Sequence, residues 1–153
     1  MYHENEAAQI LCDVCINEHM EPTPVKEGKI ELKASCDGLF TIDVERLNEI
    51  NDIDQIMIAS RHTNTPVKKG EKLLGTRVIP LVIKKDKMEL VKEKAGDIPL
   101  CTLHPYVLKR AGIITTGNEV FYGGIKDNFT PVVVEKLEKY HIEVTDHIIE
   151  CRP

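Results

Sequence analysis

Apolar residues near the start of the chain recur three and four positions apart, as Ala7, Ala8, Leu11, Val14 and Cys15. That is the spacing of one helix face. It predicts an amphipathic helix over 5–19, ending ahead of Pro22 and Pro24, whose rings disfavour helical geometry. From Lys29 the period falls to two. Ile30, Leu32 and Ala34 alternate with Lys29, Glu31 and Lys33, and a second alternating run covers Leu39, Phe40, Thr41 and Ile42. Asp37-Gly38 lies between the runs, which predicts two strands joined by an Asp-Gly turn. A short helix over 44–50, a strand over 55–60 and a turn-strand segment over 65–75 follow, with Gly70 free to take positive φ. Another β-rich run covers 77–83, and a helix over 86–95 is capped at Asp86 and stopped near Gly96. Ile30, Leu32, Leu39, Ile42, Ile56, Ile58, Val67, Leu73 and Val78 are the expected core of a mainly antiparallel β domain.

The pattern changes after Gly96. Pro99 and Pro105 mark 97–110 as a linker. An apolar strand over 111–115, a glycine-containing loop over 116–128, a helix opening at Thr130-Pro131 and a strand over 142–149 make a βαβ unit, the building block of a parallel sheet. Thr130 is placed to cap that helix, and Pro131 suits its first position, where the missing N–H costs nothing. The expected class is α+β: an N-terminal helix and linker (1–28), a β-rich domain (29–96), a linker (97–110) and an incomplete α/β unit (111–153). A single βαβ leaves sheet edges and most of one face open. Cover from further chain, from the first domain or from another copy is expected, and with it a homo-oligomer. The spacing of Val67, Gly70 and Leu73 resembles the hairpins of barrel-sandwich domains. No exposed lysine flanked by methionine sits at a hairpin tip, which argues against lipoyl or biotinyl attachment.

Composition narrows the partners. Hydrophobic residues at 42% and charged residues at 29% suit a globular chain with a real core. Twenty Lys and Arg against 25 Asp and Glu give a net charge of −5, which is no footprint for a polyphosphate backbone, so nucleic acid is not an expected partner. The apolar runs are far shorter than the ~20 residues of a membrane span, and the start is acidic, so neither a membrane segment nor a signal peptide is expected. Five cysteines form an odd set that cannot all pair internally, and a reducing cytoplasm is the simplest setting.

Three motifs carry candidate chemistry. Cys12 and Cys15 have C-x-x-C spacing, suited to a redox dithiol or half a zinc site; without a second pair they read as helix-face cysteines. Arg61 and His62 form a polar pair that a strand-to-turn segment explains equally well. The loop Thr115-Thr116-Gly117-Asn118-Glu119 stands at the carboxyl end of a parallel-type strand, where open α/β sheets bind ligands. Its glycine admits close backbone approach, and its hydroxyls and N–H groups suit an anion. Turn hydrogen bonding accounts for the Thr and Asn equally well.

The same residues carry a resemblance. Gly112 to Val120, then Gly124-Ile125-Lys126-Asp127, Phe129-Thr130-Pro131-Val132-Val133, Leu137 and Ile142-Glu143-Val144, resemble the start of the molybdopterin-binding domain of molybdopterin molybdenumtransferases and related adenylyltransferases. Asp37-Gly38-Leu39, Ile58-Ala59, His62-Thr63 and the run Gly75 to Ile83 resemble the middle region of a prokaryotic branch of that family, in the same order. The resemblance implies part of a molybdopterin-binding protein of molybdenum cofactor biosynthesis. Its small-molecule partner would be molybdopterin or its adenylylated form, with magnesium a family-level expectation. It implies Glu119 and Asp127 as catalytic carboxylates and Thr115, Thr116, Gly117, Asn118 and Asn128 as pterin contacts; it assigns no metal ligands. Asp127, just before the helix that opens near Thr130, reads equally well as a capping acid favoured by the helix N-terminus. The family's downstream Gly-Gly-x-Gly, Asp and Ser-Gly motifs do not follow, and His141 stands where relatives commonly carry glycine. A piece cut at both ends of a longer protein, inactive by itself, is therefore expected. The alternative is a non-catalytic small-ligand binding or protein-interaction module.

Overall fold

The computed structural model describes residues 1–117 and 127–150. Its contacts divide the chain into two units, Met1–Pro105 and Tyr106–Pro153.

The first unit opens with β1 (Tyr2–His3) and α1 (Glu4–Cys15). The His3 ring accepts a hydrogen bond from the Asn5 N–H, and Ala7, Ala8, Leu11, Cys12 and Cys15 make the buried face of the helix. The helix stops earlier than its apolar spacing predicts, because Ile16 turns extended and His19 takes positive φ to carry Met20 into a sheet. There follow β2 (Met20–Pro22), β3 (Lys29–Ala34), β4 (Gly38–Ile42), α2 (Val44–Asn51), β5 (Ile56–Ser60), β6 (Thr65–Val67), β7 (Lys72–Val78), β8 (Val82–Ile83), α3 (Lys85–Ala95) and β9 (Cys101–Pro105). Asp43 caps α2 by accepting from the Arg46 N–H. Gly96, at φ 69°, ends α3 as its position predicts. Asp86 is not the cap. The helix starts at Lys85, so the Asp86 carboxylate lies in the first turn, where the helix dipole favours it.

Two antiparallel sheets dominate this unit, ordered β2-β3-β7-β5 and β6-β4-β9, with β1 and β8 as a short separate pair. Neither closes into a barrel. β3 and β4 are both strands, as their alternation predicts, but they do not form a hairpin. β3 pairs with β2 and β7, whereas β4 pairs with β6 and β9. Gly38 is therefore needed for a different reason from a turn: a Cβ there would lie 2.5 Å from the His104 carbonyl oxygen on β9. The expected linker is likewise corrected over Cys101–Pro105, which forms that neighbouring strand, with Cys101 and Leu103 buried.

Both sheets and all three helices feed one apolar cluster that includes Leu11, Ile30, Leu32, Phe40, Ile58 and Leu103. Eight of the nine expected core residues are buried. Leu39 is the exception, because β4 turns Gly38, Phe40 and Ile42 inward and Leu39 to the other face. Arg46 ties α2 to the segment after α3. Its guanidinium donates to the carbonyls of Ala95, Ile98 (2.6 Å) and Pro99 (3.1 Å) and to the Asp43 carboxylate (2.8 Å). Asn51 blocks the open edge of β5: its amide accepts from the Ile58 N–H and donates to the Ile58 carbonyl, at 2.8 and 2.9 Å.

In the second unit, β10 (Arg110–Thr116) and β11 (Glu143–Glu150) pair in parallel, with α4 (Phe129–Glu138) between them in sequence. His141 takes φ 61° after the helix, the left-handed turn that places histidine in glycine's role. The fold as a whole is mixed α+β. Among the described residues no helix is long and apolar enough to cross a membrane.

Candidate functional site

The cluster of polar side chains in the second unit forms where β10 ends and α4 begins. Strand alternation sends Ala111, Ile113 and Thr115 to one face of β10 and Gly112, Ile114 and Thr116 to the other. The parallel register sets His147 of β11 beside Ile113, so its ring reaches Thr115 on the shared face. The His147 Nε2 lies 3.0 Å from the Thr115 Oγ1 and 3.2 Å from the Thr130 Oγ1, and the two hydroxyl oxygens are themselves 3.2 Å apart. Thr130 donates its hydroxyl hydrogen to Asp127 Oδ2, which is 3.8 Å from His147 Nε2.

Asp127 is the cap of α4. Its Oδ1 accepts from the backbone N–H groups of Phe129 (3.0 Å) and Thr130 (3.1 Å), two of the donors a helix start leaves open. This corrects the expectation for Thr130, whose hydroxyl serves Asp127 instead. The helix also begins earlier, at Phe129, leaving Pro131 at its third residue, still where no intrahelical donor is required. The Thr130 hydroxyl first, then the Thr130 and Phe129 N–H groups and the His147 ring, hold the Asp127 carboxyl below its ordinary range.

The structure thus brings Thr115 and Asp127 together, through Thr130 and His147. Thr116 lies on the opposite, exposed face. Gly117 extends the edge at φ 140°, with no atom of the described residues within 4 Å of where a Cβ would stand, its chain neighbours aside, and donates its N–H to the Glu150 carbonyl at 3.2 Å. Asn128 occupies the residue before α4 and makes no side-chain capping bond. Asn118 and Glu119 lie outside the described residues. Reading the sequence missed His147 altogether and saw Thr130 only as a cap. Alternation along β11 marks a face, but which residues oppose β10 is a matter of register.

Chemically, the cluster can pass hydrogen bonds from imidazole to carboxylate through two hydroxyls, and it presents a polar wall beside the Gly117 edge. It does not supply a metal set. Among the described residues no group of three or more His, Cys, Asp or Glu could hold an ion, and the Asp127 oxygens are engaged.

The other motifs resolve differently. Cys12, Cys15 and Cys101 are free, buried thiols. Burial and the Asp13 charge push the Cys12 thiol up to about 11. Burial and the neighbouring Cys12 push Cys101 up to about 12, and burial raises Cys15 further. Cys101 donates to the Cys15 carbonyl at 3.2 Å. Thiols so placed are poor nucleophiles and pack as small hydrophobes. The Arg61 guanidinium serves the Lys72 carbonyl and lies 3.7 Å from the Glu71 carboxylate, while the His62 carbonyl accepts from Thr65.

A parallel strand pair with a glycine at its carboxyl edge and a capping acid beside it is the kind of place where α/β proteins bind small ligands. Compared with known proteins, the chain matches no family model, no curated protein and no solved structure.

Proposed function

We propose that the chain is the middle region and first βαβ unit of a molybdopterin-binding protein that acts in molybdenum cofactor biosynthesis, and that the Gly117 edge is part of the pterin site. One observation carries this reading: Thr115, Gly117 and Asp127, all implied by the resemblance, fall at the carboxyl end of β10 and the start of α4. In this reading Thr115, Thr116, Gly117, Asn118 and Asn128 offer hydroxyl, amide and N–H contacts to the ligand. Glu119 and Asp127 are the carboxylates for its chemistry, and magnesium is a cofactor expected from the resemblance. The β-rich region corresponds to the barrel-sandwich-like middle domain, and a reducing cytoplasm suits its free thiols.

Isothermal titration of molybdopterin into the complete protein tests the reading. Saturable binding in the micromolar range, lost in Glu119→Gln at unchanged thermal stability, is the expected result. Absence of binding at high micromolar pterin would end it.

A second reading has its own support. Both carboxylate oxygens of Asp127 have a structural task, as expected in a small-ligand or interaction module where this unit only folds. Under that reading Asn118→Ala and Glu119→Gln leave the protein's activity intact. Either way Ile114 and Ile148 lie on an open sheet face, which supports self-association through the second unit. Sedimentation showing a strict monomer at every accessible concentration would count against it.

A further inference from the structure

The outward face of the sheet β2-β3-β7-β5 has two features that its fold does not call for. Lys29 on β3 stands directly opposite Arg77 on β7, and Met57 on β5 completes that cross-strand row. Like charges directly opposed across strands repel. Among the described residues neither Lys29 nor Arg77 has a side-chain hydrogen bond or ion pair, unlike Lys72 on β7 and Arg61 just after β5, which engage Glu31 and Glu71.

The next row holds Glu31, Gly75 and Ala59. Glycine in the middle of a strand weakens it, and is kept where the backbone must be strained or closely approached. Gly75 is not strained by a positive φ, and an added Cβ would meet only the Glu31 Cγ, at an ordinary 3.8 Å. Among the described residues no neighbour requires the glycine. With Ala59 it floors a shallow trough of about 310 Å³, bordered by Arg61 and Lys72 on one side. The Lys29–Arg77 row borders the other side by register. Met57 and Ile79, 45% and 59% exposed, add apolar surface at the cationic side.

We propose that this face docks an extended acidic segment of another protein. Its backbone would pass over Gly75 and Ala59, a carboxylate would lie between Lys29 and Arg77, and an apolar side chain would rest on Met57 and Ile79. Charge complementarity selects the occupant. A nucleic acid is disfavoured by the lack of an aromatic residue among the residues of these strands for base stacking, and by a cationic row of two residues, Lys29 and Arg77, which suits a single carboxylate; Glu31 and Glu71 are already engaged by Lys72 and Arg61. A small molecule would be left mostly in water by so shallow a trough. The inference is independent of the cluster beside Gly117.

The test is nuclear magnetic resonance titration of the full chain with a capped nonapeptide of alternating glutamate and valine, with its lysine-valine counterpart and an oligothymidylate as comparisons. Saturable shifts at the amides of Met57, Gly75 and Arg77 with the acidic peptide alone are expected. Arg77→Glu, which sets an acid opposite Lys29, should weaken binding on the order of tenfold. Gly75→Val should weaken it comparably while the melting temperature stays level or rises. No saturable shift at millimolar peptide, equal response to the lysine peptide, tighter binding of the oligothymidylate, or full affinity in both variants would overturn the proposal.

Discussion

The two units of this chain treat the same kind of sequence pattern in opposite ways. Alternating apolar residues in Met1–Pro105 end up sealed: Ile30, Leu32, Phe40 and Ile58 are all nearly or fully inaccessible. Alternation in the described residues of Tyr106–Pro153 seals nothing. Among its described residues none is buried, and Ile114 is 69% exposed in the middle of a strand. The first unit has two main sheets and three helices whose apolar faces converge, whereas the described residues of the second form two strands and one helix, and among them no second layer seals the face that carries Ile114. Apolar stabilisation, roughly 25 cal/mol per Å² removed from water, accrues only where such a layer exists. An alternating pattern states which residues share a face; the supply of partners decides what that face is worth.

Truncations on the two sides should expose this contrast most strongly. Phe40→Ala, which empties a fully buried site, should cost about 3–5 kcal/mol. Ile114→Ala should change stability by no more than about 0.5 kcal/mol in the isolated chain. Urea denaturation followed by circular dichroism measures both. If Ile114→Ala proves as costly as Phe40→Ala, the second unit has a covered core and the contrast fails.

A smaller loss is expected from Arg46→Ala, which leaves the carbonyls of Ala95, Ile98 and Pro99 without their shared donor. The cost should be about 1–3 kcal/mol in the same denaturation series. It should fall on the first unit, and amide exchange in α4 and β11 should not change.

The smallest effect concerns acid. Asp127 has its carboxyl lowered from an ordinary 3.8. A carboxyl lowered by folding contributes stability above its unfolded value and loses it as pH falls through the folded one. Exchange protection of the Phe129 and Thr130 amides should therefore be full above about pH 5 and decline below pH 4. Asp127→Asn should abolish that decline, with lower protection at neutral pH. Protection in Asp127→Asn equal to the native chain at every pH would show that the cap does not hold the helix start.

About half of the candidate site was legible in the chain itself. Thr115 and Asp127 announce themselves by a loop after an apolar strand and by an acid just before a helix, both local signals. Thr130 could be read only as a cap, and His147 could not be read at all, because its place depends on β11 lying parallel to β10 with Ile113 opposite His147.

Element type was fixed by the residues within a few positions of each other. The helix face of Ala8, Leu11 and Cys15, the Asp43 cap, the Gly96 stop and the β alternation from Lys29 are all effects spanning four residues or fewer, so the sequence alone determines them. Pairing was fixed by competition among distant segments. Asp37-Gly38 carries a hairpin signal, yet β3 and β4 separate into different sheets, where each gains a partner on both edges: β2 and β7 for β3, β6 and β9 for β4. The inward face of β4 settled on Phe40, the larger apolar choice over Leu39, once that sheet formed. Only the tertiary structure can decide such matters, since the energy of burying a face belongs to both surfaces that meet and is written in neither one alone.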